Sequence, residues 1–550
     1  MPRVRLAVLQ TNPVLGDLRG NSERLIELAK QAASDGATLV LFGEMALSGY
    51  PIEDLAYRPS FLTACEAERD RFAKRLTDEG IGDLTVVIGH PAHAKPGQTN
   101  GWAIARNVAS VLRGGKLIGE YTKHHLPNYS VFDEYRVFVP GDELLTFELG
   151  GLKFATVICE DIWQSGGPVA QISREQVDVT LVLNGSPFQV EKADRRLELV
   201  RNLAKSQHAA VAYANLVGAQ DDLVFDGDSN YVQADGQLVA RAAKFVEAGL
   251  LIDIDGKSAA TSESGVAARS EELEDIWQAL VTGLRDYVNK NGFKSVILGL
   301  SGGIDSAVCA AIATDALGPT RVFGVSMPSV YSSEHSKSDA FDLAERLGID
   351  IQTQPIAEIT QVAEDQLALT GVAAENLQAR VRGVILMGLS NQHGHLVLTT
   401  GNKSELAVGY STIYGDSVGG FAPLKDVEKS TVWELARWRN AAAEASGSTR
   451  PIPQSSIEKP PSAELRPGQV DQDSLPEYDE LDAILRSYVE DHLGKEEIVA
   501  RGFDGETVDR VLRLVDISEW KRRQGAIGPK ITGLSFGRDR RLPITNRFRS

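Results

Sequence analysis

Cysteine is scarce in this sequence. Cys65, Cys159 and Cys309 are an odd number spread over 550 residues, with no CxxC pair and no histidine partner at metal-ligand spacing. A disulfide framework and a structural zinc site are therefore excluded. No apolar segment approaches membrane-spanning length, and MPRVRLAVLQ enters a strand-like run at once, without a signal-peptide core. A reducing cytoplasm is the expected location. Basic charge is also in deficit: 57 Lys and Arg against 75 Asp and Glu leave a net −18, so a nucleic-acid or anionic-membrane partner is not expected.

What is present suffices for two cores. From Val4 to about Ile254, the runs RLAVLQ, ATLVLFGE, LTVVIGH, KFATVICE and VTLVLNGS alternate with helix-like stretches such as SERLIELAKQAASDG. This pattern predicts a layered α/β domain with buried strands. The eighteen-odd residues DGKSAATSESGVAARSEE lack a hydrophobic period and predict a linker, with domains at 1–260 and 261–550. The second half opens on a helix whose Leu273, Ile276, Leu280 and Leu284 share a face and which Gly292 ends. Further α/β alternation through SVILGLSGG, RVFGVSMPS and HLVLTTGN predicts a doubly wound parallel sheet. Residues 445–476 are polar and proline-rich, the composition of a loop or lid rather than a core. The tail carries Lys521, Arg522, Arg523, Lys530, Arg538, Arg540, Arg541, Arg547 and Arg549 against Asp539, a cluster able to meet an anion or to serve as a solvated face or subunit contact.

Three residues of complementary chemistry each follow an apolar strand: Glu44, Lys123 and Cys159. Strand carboxyl ends are where crevices form in α/β sheets. A carboxylate, an ammonium and a thiol converging there suit acyl transfer from an amide, with Glu44 as base, Cys159 as nucleophile and Lys123 on the oxyanion. Singly each is weak, because strand-end cysteines are commonly buried and Lys and Glu commonly solvated. The segments FGEMALSGYP, YTKHHLPNYSVFDE, VICEDIW and NGSPF resemble the nitrilase, or carbon-nitrogen hydrolase, superfamily, whose Glu-Lys-Cys triad matches these residues in order. The resemblance implies an α/β/β/α sandwich. It also implies glutamine hydrolysis, with Tyr129, Ser186 and Lys192 at glutamine-binding positions and Glu134 as a second carboxylate near the nucleophile. His124 and His125 are then packing groups, not the base.

In the second half, the stretch Gly299, Leu300, Ser301, Gly302, Gly303, Ile304, Asp305 and Ser306 lies between a strand and a helix. Glycine N–H groups, two hydroxyls and a helix N-terminus form an anion cradle. The stretch lacks the GxxxxGK[ST] spacing and the lysine of γ-phosphoryl transfer. For SGG alone a serine-capped turn is a sufficient account; Asp305 adds a carboxylate able to hold Mg²⁺ beside phosphates. SGGIDS resembles the pyrophosphate loop of ATP pyrophosphatases, a Rossmann-like fold that adenylates carboxylates. The downstream segments MPSVYSSEHSKSDA, ENLQARVRG, LTTGNKSELAVGYSTIYGDSVGGFAPLKDVEK and KRRQGAIGPKITGLSFGRDRRLPITN resemble the glutamine-dependent branch of the NAD synthetase family. That resemblance implies ATP at residues 299–306 and Thr400, and deamido-NAD at Asn376, Glu405 and Lys521. It further implies Mg²⁺ on Asp305 and Glu405, ammonia passed between the two sites, and a homo-oligomer of at least two chains. Another ATP-dependent amidotransferase and a non-enzymatic nucleotide-binding scaffold are the competing readings. The intact triad and Asp305 count against both.

Overall fold

The computed structural model describes residues 3–98 and 101–548 and divides the chain into two compact units after Ser270. The second unit begins about ten residues beyond the boundary expected from composition. Part of the expected linker is built structure: Ala259–Ser262 pairs antiparallel with Ala248–Gly256 at the edge of a sheet. Edge pairing uses backbone groups, so small polar side chains suffice there.

The first unit holds a seven-stranded sheet in the order Ala259–Ser262, Ala248–Gly256, Val4–Gln10, Leu39–Leu41, Thr85–His93, Ala105–Arg113, Lys116–Thr122. A six-stranded sheet runs Leu238–Arg241, Asn230–Val232, Ala210–Ala214, Val179–Leu183, Leu152–Ile158, Leu145–Leu149. Strand periodicity explains the layering. On Val4–Gln10, Leu6 and Val8 join a core with Phe154, Val157 and Leu181 of the other sheet, whereas Ala7 and Leu9 join Leu25, Ile26 and Phe72 from the helices Leu18–Ser34 and Pro59–Asp78. A strand buried on both faces reads as a continuous apolar run, as these do. The helix Lys192–Gln207 packs on the second sheet, completing an α/β/β/α sandwich.

The second unit is built on a parallel sheet ordered Asp350–Thr353, Val322–Ser326, Val296–Gly299, Leu396–Val397. The chain steps outward through the first three strands in sequence and then returns to the opposite side, so the order reverses beside Val296–Gly299. Ligand crevices in open α/β sheets lie at such a reversal. The helix Glu272–Lys290 buries Ile276, Leu280 and Leu284 against the helix Ile304–Leu317, and Leu273 is half-exposed at its start. Among the described residues no helix is long and apolar enough to cross a membrane. Cys65, Cys159 and Cys309 are unpaired and buried.

Part of the basic tail is turned inward, while Arg523, Arg541 and Arg547 stay exposed. Arg522 donates to Val515 O (2.6 Å) and to Glu519 Oε2 (2.9 Å), Arg540 reaches the same carboxylate at 3.1 Å, and Lys530 lies 2.8 Å from Asp539. Burial lowers the proton affinity of the Arg522 and Arg540 guanidinium groups. These side chains cap carbonyls and satisfy Glu519, so they are not a surface patch awaiting an anion. Arg549 lies outside the described residues.

Candidate active sites

In the first unit, Glu44, Lys123 and Cys159 all sit just past strands and are buried. Glu44 follows Leu39–Leu41 in a turn that crosses close over the neighbouring strand. A side chain at Gly89 would come within 2.4 Å of Met45 N, so glycine is required there. Cys159 follows Leu152–Ile158 with φ +41°, a left-handed conformation that non-glycine residues adopt at a cost and that turns the thiol out of the strand.

The Lys123 ammonium bridges two carboxylates, 2.8 Å from Glu44 Oε1 and 2.7 Å from Glu134 Oε2. Asn107 Nδ2 donates to Glu44 Oε1 at 2.6 Å, Gly185 N to Glu44 Oε2 at 2.8 Å, and the Tyr50 hydroxyl to Glu134 Oε1 at 2.8 Å. Burial pulls the Lys123 proton affinity down, but Glu134 and Glu44 outweigh it and leave the amine firmly protonated. An ammonium has three donors; one is hydrogen-bonded to Glu44 and the charge is paired with Glu134, which leaves an N–H able to meet an oxyanion. Burial, followed by the charge of Glu44, pushes the Cys159 thiol well above its ordinary value. At neutral pH the Cys159 group is thus a neutral thiol, which would have to surrender its proton to attack a carbonyl.

Burial pushes the Glu134 carboxyl up to about 7, against the pull of Lys123. A carboxyl raised in the folded state costs stability when ionised, and that cost appears as pH rises from the unfolded value through 7. The expected result is that E134Q, which copies the neutral acid, gains in Tm relative to the parent as pH is raised from 5 to 8.5. Paired melting curves across that range test it, and a difference independent of pH would contradict it.

The expected glutamine contacts are arranged around this core in different ways. Tyr129 is about half exposed (53%), and its hydroxyl donates to Glu160 Oε2 at 2.9 Å, beside the nucleophile. Ser186 is buried, its N–H donating to Asn215 Oδ1 at 2.9 Å. Lys192 opens the helix Lys192–Gln207 and donates to Pro187 O at 3.2 Å. The imidazole of His124 donates from Nδ1 to Gly141 O at 2.6 Å.

In the second unit, the turn after Val296–Gly299 and the helix Ile304–Leu317 border a cavity of about 290 Å³ at the sheet reversal. Gly299, Leu300, Ser301, Gly303, Ile304, Asp305, Ser306, Thr400 and Glu405 line it. The loop is held in shape by its own hydroxyls: Gly303 N donates to Ser301 Oγ at 3.2 Å and Ser306 Oγ to Gly303 O at 3.0 Å. Gly302 has φ +79°, and a side chain there would approach Ser336 O to 2.4 Å.

Asp305 and Glu405 are brought together by a residue that sequence inspection passed over. The buried Lys429 ammonium pairs with Asp305 Oδ2 and lies 3.3 Å from Glu405 Oε1, while Asn402 Nδ2 donates to Asp305 Oδ1 at 3.0 Å. Burial pushes the Glu405 carboxyl up to about 8, with Lys429 opposing and Asp305 adding to the rise. Two hard carboxylate groups lining this cavity suit Mg²⁺, which takes one or two protein carboxylates and completes its shell from phosphates and water. Asn376 and Lys521 do not line the cavity. They hold its flank instead, Asn376 Oδ1 accepting from Thr412 Oγ1 (2.8 Å) and Lys521 Nζ donating to Gly409 O (2.8 Å) and Ser411 O (2.9 Å).

The proline-rich segment is ordered. Ile452 and Ile457 are buried, Ser456 Oγ donates to Gly302 O at 3.1 Å, and residues 459–465 with Asp471 form one wall of the cavity. It is cavity wall and core at once, because two isoleucines anchor a polar strap.

Residues 5–262 match the carbon-nitrogen hydrolase family and residues 276–525 the NAD synthase family. Over its whole length the chain is 45% identical to the glutamine-dependent NAD(+) synthetase of Acinetobacter baylyi, 99% of which is covered. It is 42% identical to that of Thermotoga maritima across all of both chains. The chain belongs to the glutamine-dependent NAD(+) synthetase family. The solved structure of a family member from Acinetobacter baumannii, in complex with ADP, aligns with a TM-score of 0.77 at 43% identity, covering 99% of this chain and 98% of that one. Both halves of a glutamine-dependent NAD(+) synthetase are therefore present, in the same order.

A test of the phosphate loop follows from its backbone. G302A forces a side chain into the left-handed region, a cost of about 1–3 kcal/mol, and against a neighbouring carbonyl. The expected outcome is loss of ATP consumption with glutamine hydrolysis retained. ATP turnover at the parental rate would show that the turn tolerates displacement.

Proposed function

We propose that the chain is an ATP-dependent ligase that amidates deamido-NAD with nitrogen taken from glutamine. The first unit makes ammonia. Cys159 Sγ attacks the side-chain carbonyl of glutamine while Glu44 takes the thiol proton, and the remaining Lys123 N–H stabilises the oxyanion. Collapse of the tetrahedral intermediate releases ammonia, with the proton returned from Glu44 to the leaving nitrogen. A water deprotonated by Glu44 then cleaves the thioester to glutamate. Glu134 keeps Lys123 charged and fixed, and Tyr129, Ser186 and Lys192 bind the substrate.

The second unit uses the ammonia. A carboxylate is a poor electrophile, so the nicotinate carboxylate of deamido-NAD attacks the α-phosphorus of ATP and expels pyrophosphate. Ammonia then displaces AMP from the acyl-adenylate to give the amide. The backbone of residues 299–306 and Thr400 receive ATP, with the helix N-terminus at Ile304 oriented toward its phosphates. Glu405 contacts deamido-NAD inside the cavity, and Asn376 and Lys521 meet it where it runs over the flank. Asp305 and Glu405 would hold Mg²⁺, which when bound neutralises phosphate charge. The working assembly is at least a dimer of this chain in a reducing cytoplasm, where three unpaired thiols persist.

The observation that carries this reading is the Lys123 ammonium buried between Glu44 and Glu134 beside a strained Cys159, in a chain that also carries the SGGIDS cavity. The test is incubation with glutamine, ATP, Mg²⁺ and deamido-NAD. Glutamate, AMP, pyrophosphate and NAD are expected in equal amounts. ADP as the nucleotide product, or turnover with a different carboxylate acceptor in place of deamido-NAD, would overturn it.

A further inference from the structure

The triad is drawn from two different sheets. Glu44 and Lys123 follow strands of the seven-stranded sheet, whereas Cys159 follows Leu152–Ile158 of the six-stranded one. Ladder hydrogen bonds fix positions within a sheet. The separation between the Lys123 ammonium and the thiol must be set by groups that span both.

One fully buried side chain does this. Asp161 Oδ1 accepts from the backbone N–H groups of His124 (3.1 Å) and His125 (2.8 Å). Its Oδ2 accepts from the Tyr121 hydroxyl (2.7 Å) and from the backbone N–H of Ile158 (3.0 Å). Three of these donors lie within two residues of Lys123, on both sides of it, and the fourth immediately precedes Cys159. Both oxygens are doubly occupied, which leaves Asp161 poorly placed to act as a base.

We infer that Asp161 is a positioning residue, whose carboxylate locks the Lys123 segment onto the nucleophile turn. The lock holds Cys159 in its left-handed conformation and at a set distance from the remaining Lys123 N–H. At His124 and His125 it is the backbone amides, not the imidazoles, that reach Asp161. The inference rests on Cys159 being the glutaminase nucleophile, so C159A is measured alongside.

D161N keeps the volume but turns an NH₂ toward N–H donors that need an acceptor. The expected result is a fall in kcat for glutamine hydrolysis of about 10²-fold, the scale of a misplacement near 1 Å. KM for glutamine should stay within about threefold, since a group that aligns reacting atoms acts on the transition state. Ammonia-dependent NAD formation should remain at the parental rate. Y121F removes one donor of four and should lower kcat about three- to tenfold at unchanged KM, the size of one lost hydrogen bond. A folded Y121F with parental kcat, or one that loses KM and not kcat, overturns the positioning role whatever D161N does. Glutamine hydrolysis persisting in C159A would overturn the nucleophile assignment instead.

Discussion

Replacing Cys159 with alanine is expected to abolish NAD formation from glutamine while formation from an ammonium salt continues near the parental rate. In the proposed mechanism the thiol accepts the acyl fragment, and removing a covalent nucleophile of this kind costs about 10⁴-fold or more in kcat. Its buried surroundings, Glu44, Lys123 and Glu134, remain paired with one another through the bonds at 2.8 and 2.7 Å. The first unit therefore keeps its fold, and the second unit, a separate compact body, keeps its cavity. Measuring NAD with each nitrogen source in turn checks this. Equal loss with both sources would sink the division of labour.

The second large effect is expected from Asp305→Ala, which should stop synthesis from either nitrogen source. Asp305 occupies the first turn of the helix Ile304–Leu317 and is held by Asn402 and Lys429. Without it, the buried Lys429 ammonium is left with Glu405 at 3.3 Å, and the oxygen set suited to Mg²⁺ loses half its carboxylates. Loss of one preorganised charge at a transferring phosphoryl group is worth about 10²–10³-fold. Cys159 should still be labelled by a glutamine-like electrophile, which separates this result from unfolding. Asp305→Asn keeps the shape and should be similarly inactive. Ordinary ATP turnover with ammonia in either variant would show that Asp305 is not needed there.

Much of this was legible in the sequence, for identifiable reasons. Glu44, Lys123, Cys159 and Asp305 each end or follow an apolar run, and strand ends are where α/β folds place their chemistry. Lys429 and Asp161 were not legible, because their importance lies in contacts to partners far along the chain: Lys429 to Asp305, and Asp161 to Tyr121, His124 and His125. Nothing local distinguishes such a lysine or aspartate from a solvated one. In the tail, clustering along the sequence does not separate the buried cations from the exposed ones. Its arginines cluster in sequence, yet Arg522 and Arg540 converge on a single carboxylate, Glu519, and bury there. Residues 259–262 looked like linker because their strand is specified by backbone pairing at an edge, which has no hydrophobic signature.

In the proposed reaction, nitrogen leaving glutamine at Cys159 becomes the amide of NAD made in the other unit. Free ammonia is mostly protonated at neutral pH and ammonium is no nucleophile, so transfer without release to solvent is favoured chemically. The direct measurement supplies glutamine labelled with ¹⁵N at its side-chain amide, together with ATP, Mg²⁺, deamido-NAD and an excess of unlabelled ammonium, and reads the isotope in the NAD amide by mass spectrometry. Direct transfer should give NAD labelled well above the isotopic fraction of the ammonium pool in the parent and unlabelled NAD in C159A. Parental NAD that carries only the isotopic composition of the pool would contradict direct transfer, and labelled NAD from C159A would contradict the nucleophile.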